Sequence, residues 1–131
     1  MRLVIGVLCL LATAAPAMAC NSEMLTVVGW QAIKDEGNPV LPYSLSAEVK
    51  YEGHRAYRMI HAGVMFSDVL GEALGQVNLA KDQNVSPGDS ITADGLVDVD
   101  KRIGTISRDD IAFRTCVWSI VYDDGTVEEF N

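Results

Sequence analysis

The chain has 131 residues, 49% of them hydrophobic, and its 18 acidic side chains outnumber the 10 basic ones to give a formal net charge of −8. This length is enough for one domain with a single hydrophobic core. Because an acidic surface repels phosphate groups, we expect no nucleic acid among the partners, whereas cationic ligands and basic protein surfaces stay open.

The first residues have the pattern of a secretory signal peptide. A positive charge at Arg2 precedes an unbroken apolar run over residues 3–11, and a small-residue cleavage site ends at Ala19. We therefore predict that residues 1–19 are removed and that residues 20–131 form one exported domain, either periplasmic or secreted. The apolar run is far shorter than the ~20 residues that span a bilayer, so no transmembrane segment is expected.

Cleavage after Ala19 would make Cys20 the first residue of the mature chain, with Cys116 as the other remaining cysteine. Two cysteines in an oxidising compartment usually pair, which predicts a Cys20–Cys116 disulfide. The alternative is a lipid anchor on Cys20, which would make the protein a membrane-anchored lipoprotein. Of the three residues before Cys20, only Ala19 fits the usual lipobox well, and the disulfide is therefore favoured.

Alternation of apolar and polar residues with period two predicts most of the secondary structure. In chain order, strands are expected over residues 25–33, 44–52, 59–66, 90–100, 111–122 and 126–130. Residues 111–122 are apolar without clean alternation, as expected of a central strand covered on both faces. Residues 69–79 give only a weak helical pattern. Six to seven strands separated by turns predict an all-β fold, an antiparallel β-sandwich.

Two stretches carry a family resemblance. Residues 62–71 alternate apolar positions and end in Phe66, Asp68 and Gly71, and Ser86–Ser90 form a Pro-Gly-Asp-Ser turn before the next strand. Together they resemble the FxLYD-type and related immunoglobulin-like domains of bacterial exported proteins, over about residues 44–99. The resemblance implies an immunoglobulin-like sandwich that serves as a non-enzymatic accessory or binding module, and it supplies no catalytic residues.

The residues themselves also indicate binding rather than catalysis. The chain has two histidines, His54 and His61, and no Gly-x-Ser-x-Gly elbow. Neighbouring carboxylates on a strand point to opposite faces, so the acidic pairs do not form a general acid–base set. We therefore expect no enzyme, and instead a domain of the envelope or extracellular space that contacts a protein or a small ligand.

A copper site is the alternative function. With the core residues of the third strand facing inward, Tyr57, Met59, His61 and Met65 are predicted to share the outer face. Thioether and imidazole groups suit Cu(I). Met59 and His61 are about 6.6 Å apart along a strand and could share an ion, whereas Met65 is about 13 Å beyond His61. A third ligand would come from a neighbouring strand or from Met24, and the protein would then be a small periplasmic copper-binding protein.

Calcium is a second metal to weigh, because Asp94, Asp98 and Asp100 are predicted to lie on one strand face. Carboxylate oxygens are the ligands that calcium prefers, but the chain contains no loop of the EF-hand type. A polar outer face accounts for the same three residues.

Three residues are candidates for contact with a partner. Trp30 is opposite in parity to the apolar residues of its strand and is predicted to be exposed or partly buried. Tyr57 is predicted on the outer face of the third strand, and His54 lies in the polar tip of the preceding hairpin. Aromatic side chains at the surface are frequent anchors of binding interfaces.

Overall fold

Nine strands make up nearly all of the regular structure. The structure is a computed structural model that describes residues 20–40 and 43–130, and the predicted signal peptide, residues 1–19, lies outside this part. In chain order the strands are β1 (Leu25–Lys34), β2 (Tyr43–Tyr51), β3 (Tyr57–Asp68), β4 (Ala73–Asn78), β5 (Asp82–Val85), β6 (Ser90–Ala93), β7 (Gly95–Val97), β8 (Ile111–Tyr122) and β9 (Val127–Glu129). Two short 3-10 helices, Lys101–Gly104 and Arg108–Asp110, connect β7 to β8. Within the described residues, no helix has the length and apolar character needed to cross a bilayer.

The strands form two antiparallel sheets that share one core. The smaller sheet has the order β1-β2-β6, and the larger sheet runs β7-β4-β3-β8-β9 with β5 paired to β3. The predicted all-β, antiparallel sandwich is therefore confirmed, with nine strands in the described residues where six to seven were expected. The largest fully buried side chains come from both sheets: Tyr51, Tyr57, Phe66, Leu45, Leu74 and Ile120.

Two stretches fold differently from the sequence prediction. Residues 69–79 contain β4 rather than a helical turn, because pairing with β3 outweighs a helix propensity that Gly71 and Gly75 already lower. Residues 90–100 form two strands, β6 in the smaller sheet and β7 in the larger one. The chain passes from one sheet to the other at Asp94, a crossing that alternation along the sequence does not reveal.

β8 is central in the larger sheet, between β3 and β9, but it is not covered along its whole length. Cys116 and Val117 are buried, whereas Ala112, Phe113 and Arg114 are exposed. The expectation of a strand covered on both faces is therefore wrong for the N-terminal half of β8, because a three-stranded sheet is too narrow to cover all of a six-stranded one.

A bulge in β1 sets the orientation of Trp30. The pairing of β1 with β2 shifts by one residue between Val27 and Gly29. Because side chains alternate with period two, the extra residue moves the following side chains to the opposite face. Trp30 consequently packs against the core and is half-buried, while Val28 and Ile33 are exposed.

A second bulge corrects the prediction for Tyr57. The pairing of β3 with β8 shifts between Tyr57 and Met59, so Tyr57 does not share the outer face with Met59 and His61. Tyr57 is 1% exposed, and burial raises the pKa of its hydroxyl well above the ordinary range. The prediction of Tyr57 as a contact residue is therefore wrong, since its ring belongs to the core.

The N-terminal residues of the described chain are tied to β8. A disulfide joins Cys20 to Cys116, which confirms the predicted pairing. The next residue, Asn21, exchanges two backbone hydrogen bonds with Val117, at 2.9 and 2.8 Å. A lipid anchor would need the Cys20 sulfur, which the disulfide occupies.

Candidate functional site

A cavity of about 380 Å³ lies where β1 meets the two 3-10 helices and the start of β8, and we call it the Trp30 cavity. Aromatic rings, cations and branched apolar side chains form its walls: Trp30, Tyr43, Lys34, Arg108, Ile103, Ile106 and Ile111. Its surface thus combines cationic and other polar groups with aromatic and aliphatic ones, and ligand-binding sites are usually concave.

Trp30 and Arg108 form the centre of this cavity. The indole packs edge-on against Phe66, with ring centroids 5.2 Å apart, and this contact fixes its orientation. The Arg108 guanidinium lies 3.8 Å from the centroid of the Trp30 ring, and its Nη2 donates to the Trp30 carbonyl oxygen at 2.7 Å. The cation–π contact and the hydrogen bond together hold the arginine across the edge of β1.

Tyr43 forms another part of the wall, and Gly104 makes room for its ring. A Cβ on Gly104 would overlap the ring of Tyr43, so only glycine allows this close approach. Gly104 ends the first 3-10 helix, and Ile103 beside it is buried in the core. The helix therefore positions Tyr43 through a close backbone contact.

The electrostatics of the Trp30 cavity differ from those of the whole chain. Lys34 and Arg108 line it, and none of the described lining residues is acidic, although the chain has 18 acidic and 10 basic side chains. Lys34 also pairs with Glu36 at 3.7 Å on the exposed side. No side chain of the described residues accepts a hydrogen bond from Arg108, whose bond to Trp30 uses Nη2 alone. The cavity is therefore suited to an anionic group attached to an apolar part.

His54 lies at a second cavity of about 470 Å³, the His54 cavity. Three carboxylates share its lining, from Glu23, Glu52 and Glu128. Arg55 stacks on the Tyr122 ring at 3.7 Å and pairs with Asp124 at 3.4 Å. Burial, and then the 2.8 Å hydrogen bond donated to Glu128, raise the pKa of the Tyr122 hydroxyl. Arg55 is thus already bound by Tyr122 and Asp124 of the same chain. With three lining carboxylates, the His54 cavity is more acidic than the Trp30 cavity.

Met59 and His61 line a third cavity of about 230 Å³, the Met59 cavity, together with Lys81 and Ser119. Met59 is 43% exposed, and the His61 ring packs against Trp118 with centroids 4.8 Å apart. The two predicted ligands therefore line one cavity, and the positive charge of Lys81, which also lines it, disfavours a cation there. Among residues 20–40 and 43–130, no group of three His, Cys, Asp or Glu side chains is placed to hold a metal ion.

The other two methionines of the described residues, Met24 and Met65, lie outside the lining of the Met59 cavity. Met24 lines the His54 cavity and is absent from the lining of the Met59 cavity. The sulfur of Met65 lies 3.9 Å from a guanidinium nitrogen of Arg114. Met24, predicted as a possible third ligand, therefore does not line the cavity of Met59 and His61, and Met65, which was expected to lie too far along the strand, contacts Arg114.

Trp30 was predicted from the sequence as a contact residue, whereas Arg108, Tyr43 and Lys34, which line the same cavity, were not. Trp30 and Arg108 are 78 positions apart in the chain, and no local pattern links them. Tyr43 and Lys34 lie at the ends of adjacent antiparallel strands, where they are opposite each other in register. Only the pairing of β1 with β2 brings these two together, and the sequence alone did not predict that pairing.

Comparisons with known proteins give no relative from which a role could be transferred. The chain matches no model of a protein family, and neither the curated proteins nor the solved structures gave a match. The resemblance of residues 44–99 to FxLYD-type domains therefore stays a prediction.

Proposed function

We propose that this chain is an exported, non-enzymatic domain that acts by binding, in the cell envelope or outside the cell, and that the Trp30 cavity is its recognition site. The ligand or protein partner contributes an anionic group attached to an apolar or aromatic part. The observation that carries the proposal is the pair of cations, Lys34 and Arg108, in a cavity without lining carboxylates on a chain of net charge −8.

The geometry around Arg108 supports recognition of an anion. Stacking on Trp30 and the bond to its carbonyl oxygen hold the guanidinium in one place. Its other nitrogens are then pre-oriented donors, and the planar guanidinium can donate two parallel hydrogen bonds to two oxygens of a carboxylate or sulfonate. The rings of Trp30 and Tyr43 offer apolar surface to the rest of the ligand, as in many binding sites.

Export is supported by two independent features. The N-terminal sequence has the pattern of a secretory signal peptide, with its cleavage site directly before Cys20. A disulfide joins Cys20 to Cys116, and disulfides form and persist mainly in oxidising compartments. A domain that depends on this cross-link would function outside the cytoplasm.

The probe for the Trp30 cavity is 8-anilinonaphthalene-1-sulfonate, an aromatic anion, compared with neutral N-phenyl-1-naphthylamine. We expect the mature protein to bind the anion more tightly than the neutral probe. Arg108→Met should weaken binding of the anion about tenfold, because a charge-assisted hydrogen bond is lost, and change binding of the neutral probe little. Fluorescence titration of both probes measures the two affinities.

The matched control is Lys81→Met, which removes the cation of the Met59 cavity. It should leave both affinities unchanged. An equal loss of affinity for the anionic probe in the Lys81→Met and Arg108→Met proteins would contradict the assignment of the site. An Arg108→Met protein that binds both probes as tightly as the wild type does would contradict it as well. Energy transfer from Trp30 to the bound probe, measured in a Trp118→Phe background, locates the probe.

Cu(I) binding is the second candidate, since Met59 and His61 share one cavity. If copper is the natural ligand, an anaerobic titration should give one tightly bound Cu(I) per chain. A Met59→Leu/His61→Ala variant should then lose at least about tenfold in affinity, because both soft ligands are gone. Met24→Leu, outside the cavity, is the control and should bind as the wild type does. Equal affinities in all three proteins would remove this candidate.

A further inference from the structure

The Trp30 cavity follows one edge of β1. Trp30, Ala32 and Lys34, which alternate along this strand, all line the cavity, so it extends along about 13 Å of β1. β1 is an outer strand of the smaller sheet, and within residues 20–40 and 43–130 no strand other than β2 pairs with it. An unpaired strand edge presents backbone N–H and C=O groups to which another extended chain can bond.

Hydrogen bonds at the end of β2 show which backbone groups face β1. The N–H of Tyr51 donates to the Asp89 carbonyl and its own carbonyl accepts from Gly88, on the side of β6. The N–H of Glu52 instead donates to the Met24 carbonyl, on the side of β1. These directions alternate along an antiparallel strand. Every second residue of β2, counted back from Tyr51, therefore turns its backbone groups away from β1.

The residues of β1 opposite these positions point outward as well. The partners in register include Trp30, Ala32 and Lys34, and the pairing does not shift over this stretch. Opposite residues of this kind share no hydrogen bond, so the backbone groups of both point away from the pair. Arg108 provides an independent check, because its Nη2 reaches the Trp30 carbonyl oxygen from outside the sheet. The three residues that line the cavity thus direct N–H and C=O groups to the open edge.

Arg108 bounds this edge at Trp30. Its guanidinium bonds to the Trp30 carbonyl and stacks on the indole, so the free backbone groups begin at Ala32. A chain that pairs with Ala32 antiparallel to β1 runs toward Trp30 and meets a fixed cation there. A carboxylate at that point forms charge-assisted hydrogen bonds with the guanidinium. The cation lies in line with the strand edge, where a backbone carboxylate ends a paired chain.

We propose that the Trp30 cavity binds the C-terminal end of an extended peptide, which adds to β1 as an antiparallel strand. This inference rests on the proposed function and names its ligand, with the terminal carboxylate as the anion and the last side chain as the apolar part. The last residue donates its N–H to the Ala32 carbonyl, and its carboxylate accepts from the Ala32 N–H and from Arg108. The third residue from the end pairs with Lys34 in the same way.

The side chains around Ala32 favour an apolar last residue. Opposite residues of antiparallel strands share a face, so the last side chain lies on the face of Ala32. Ala32 is small, and the rings of Trp30 and Tyr43 line the cavity with three isoleucines. The penultimate side chain lies on the other face, beside Ile33, which is 55% exposed. Apolar residues at both positions would remove this surface from water.

Three fluorescein-labelled hexapeptides test the proposal, each with valine followed by leucine, valine or phenylalanine at a free C-terminus. Their amidated forms are the matched controls. Fluorescence anisotropy with the mature, disulfide-bonded protein should show about tenfold tighter binding of the free acids, because the amides lose the charge-assisted hydrogen bond. Arg108→Met should weaken binding of the free acids about tenfold and leave binding of the amides unchanged, so that both forms then bind alike.

N-methylation of the peptide tests the backbone pairing without a change in the protein. A methyl group on the last amide nitrogen removes the N–H that faces Ala32 and should weaken binding about tenfold, because it also prevents close approach of the two chains. A methyl group on the penultimate amide nitrogen is the matched control. That N–H points away from β1, and the affinity should stay close to that of the unmodified peptide.

Failure of this proposal differs from failure of the proposed function. The peptide proposal is overturned if none of the free acids binds below millimolar concentration, if free acids and amides bind alike, or if the two N-methylated peptides do. The recognition site would still stand if Arg108→Met weakens binding of 8-anilinonaphthalene-1-sulfonate. Binding of that probe without dependence on Arg108 would overturn both.

Discussion

Removing the disulfide by Cys20→Ser and Cys116→Ala is expected to lower the free energy of unfolding by about 4 kcal/mol. The cross-link joins residues 96 positions apart, so it restricts nearly the whole unfolded chain. The folded structure itself should change little, because Asn21 still bonds to Val117 beside the former bridge. Denaturation in urea measures the change, and the slope of the transition should rise because the uncross-linked unfolded state exposes more surface.

Wild-type protein under reducing conditions is the control for this experiment. The reduced protein keeps both sulfur atoms, including that of Cys116, which is 2% exposed. It therefore distinguishes the effect of losing the cross-link from the effect of losing a packed side chain. Reduced wild type and the double variant should unfold at similar urea concentrations, both below the oxidised protein. Oxidised and reduced proteins of equal stability would contradict the expected role of the bridge. A marked loss on reduction would also support the proposal that the domain functions in an oxidising compartment.

Where a strand is regular, the alternation of apolar and polar residues correctly predicted which side chains are buried. In β2, Leu45, Ala47, Val49 and Tyr51 were expected on one face, and all four are at most 1% exposed. The disulfide was equally predictable, because two cysteines in a chain that is expected to be exported usually pair. The all-β class and the predicted disulfide therefore follow from local pattern and simple counting.

Bulges limit what the same alternation can predict. One unpaired residue in β1 turns Trp30 toward the core and exposes Ile33, and another in β3 buries Tyr57. A bulge depends on the partner strand as much as on the strand itself, and the sequence carries no local sign of it. The face of a side chain beyond such a point is known only once the pairing is known.

The candidate site illustrates the same limit for function. Trp30 is recognisable as a residue of interest, but its significance comes from Arg108, which reaches it from a helix that starts 78 positions later. The pairing of Met59 with His61 follows from strand period alone, and both do line one cavity. The nearby charge of Lys81 comes from a different segment and was not foreseen. Local spacing finds pairs within a strand and misses groups that the topology brings together.

Asp68 at the end of β3 is the residue whose replacement should act most strongly among the charged groups. Its side chain accepts hydrogen bonds from the N–H groups of Leu70 and Glu72, at 3.0 and 2.9 Å, and from Arg102 at 3.0 Å. Asp68 is 5% exposed, and Arg102 also pairs with Glu72 at 3.2 Å. The carboxylate thereby joins the turn between β3 and β4 to the first 3-10 helix.

Asp68→Asn should lower the Tm by about 10 °C at neutral pH, because an amide cannot accept all three bonds and leaves the partly exposed Arg102 with Glu72 as its remaining ion-pair partner. The N–H of Glu72, and after it the Arg102 guanidinium, holds the pKa of the Asp68 carboxyl below its ordinary value. A carboxyl with a lowered folded-state pKa stabilises the fold above its unfolded pKa and loses this contribution as the pH falls. The difference in Tm between wild type and variant should therefore be largest at neutral pH and shrink below about pH 4.

Melting curves from pH 7 to pH 3 test both the size and the sign of this effect. Asp109→Asn, at an exposed position in the second 3-10 helix, is the matched control and should melt within about 2 °C of the wild type at pH 7. A difference for Asp68→Asn that persists unchanged at pH 3 would mean that the residue acts through packing and not through its charge. Because the ionised carboxylate fixes Arg102 and the helix that follows Asp100, its protonation should also loosen Ile103 and Gly104, against which Tyr43 packs in the Trp30 cavity. Weaker binding of the anionic probe by Asp68→Asn at neutral pH would link this cluster to the site.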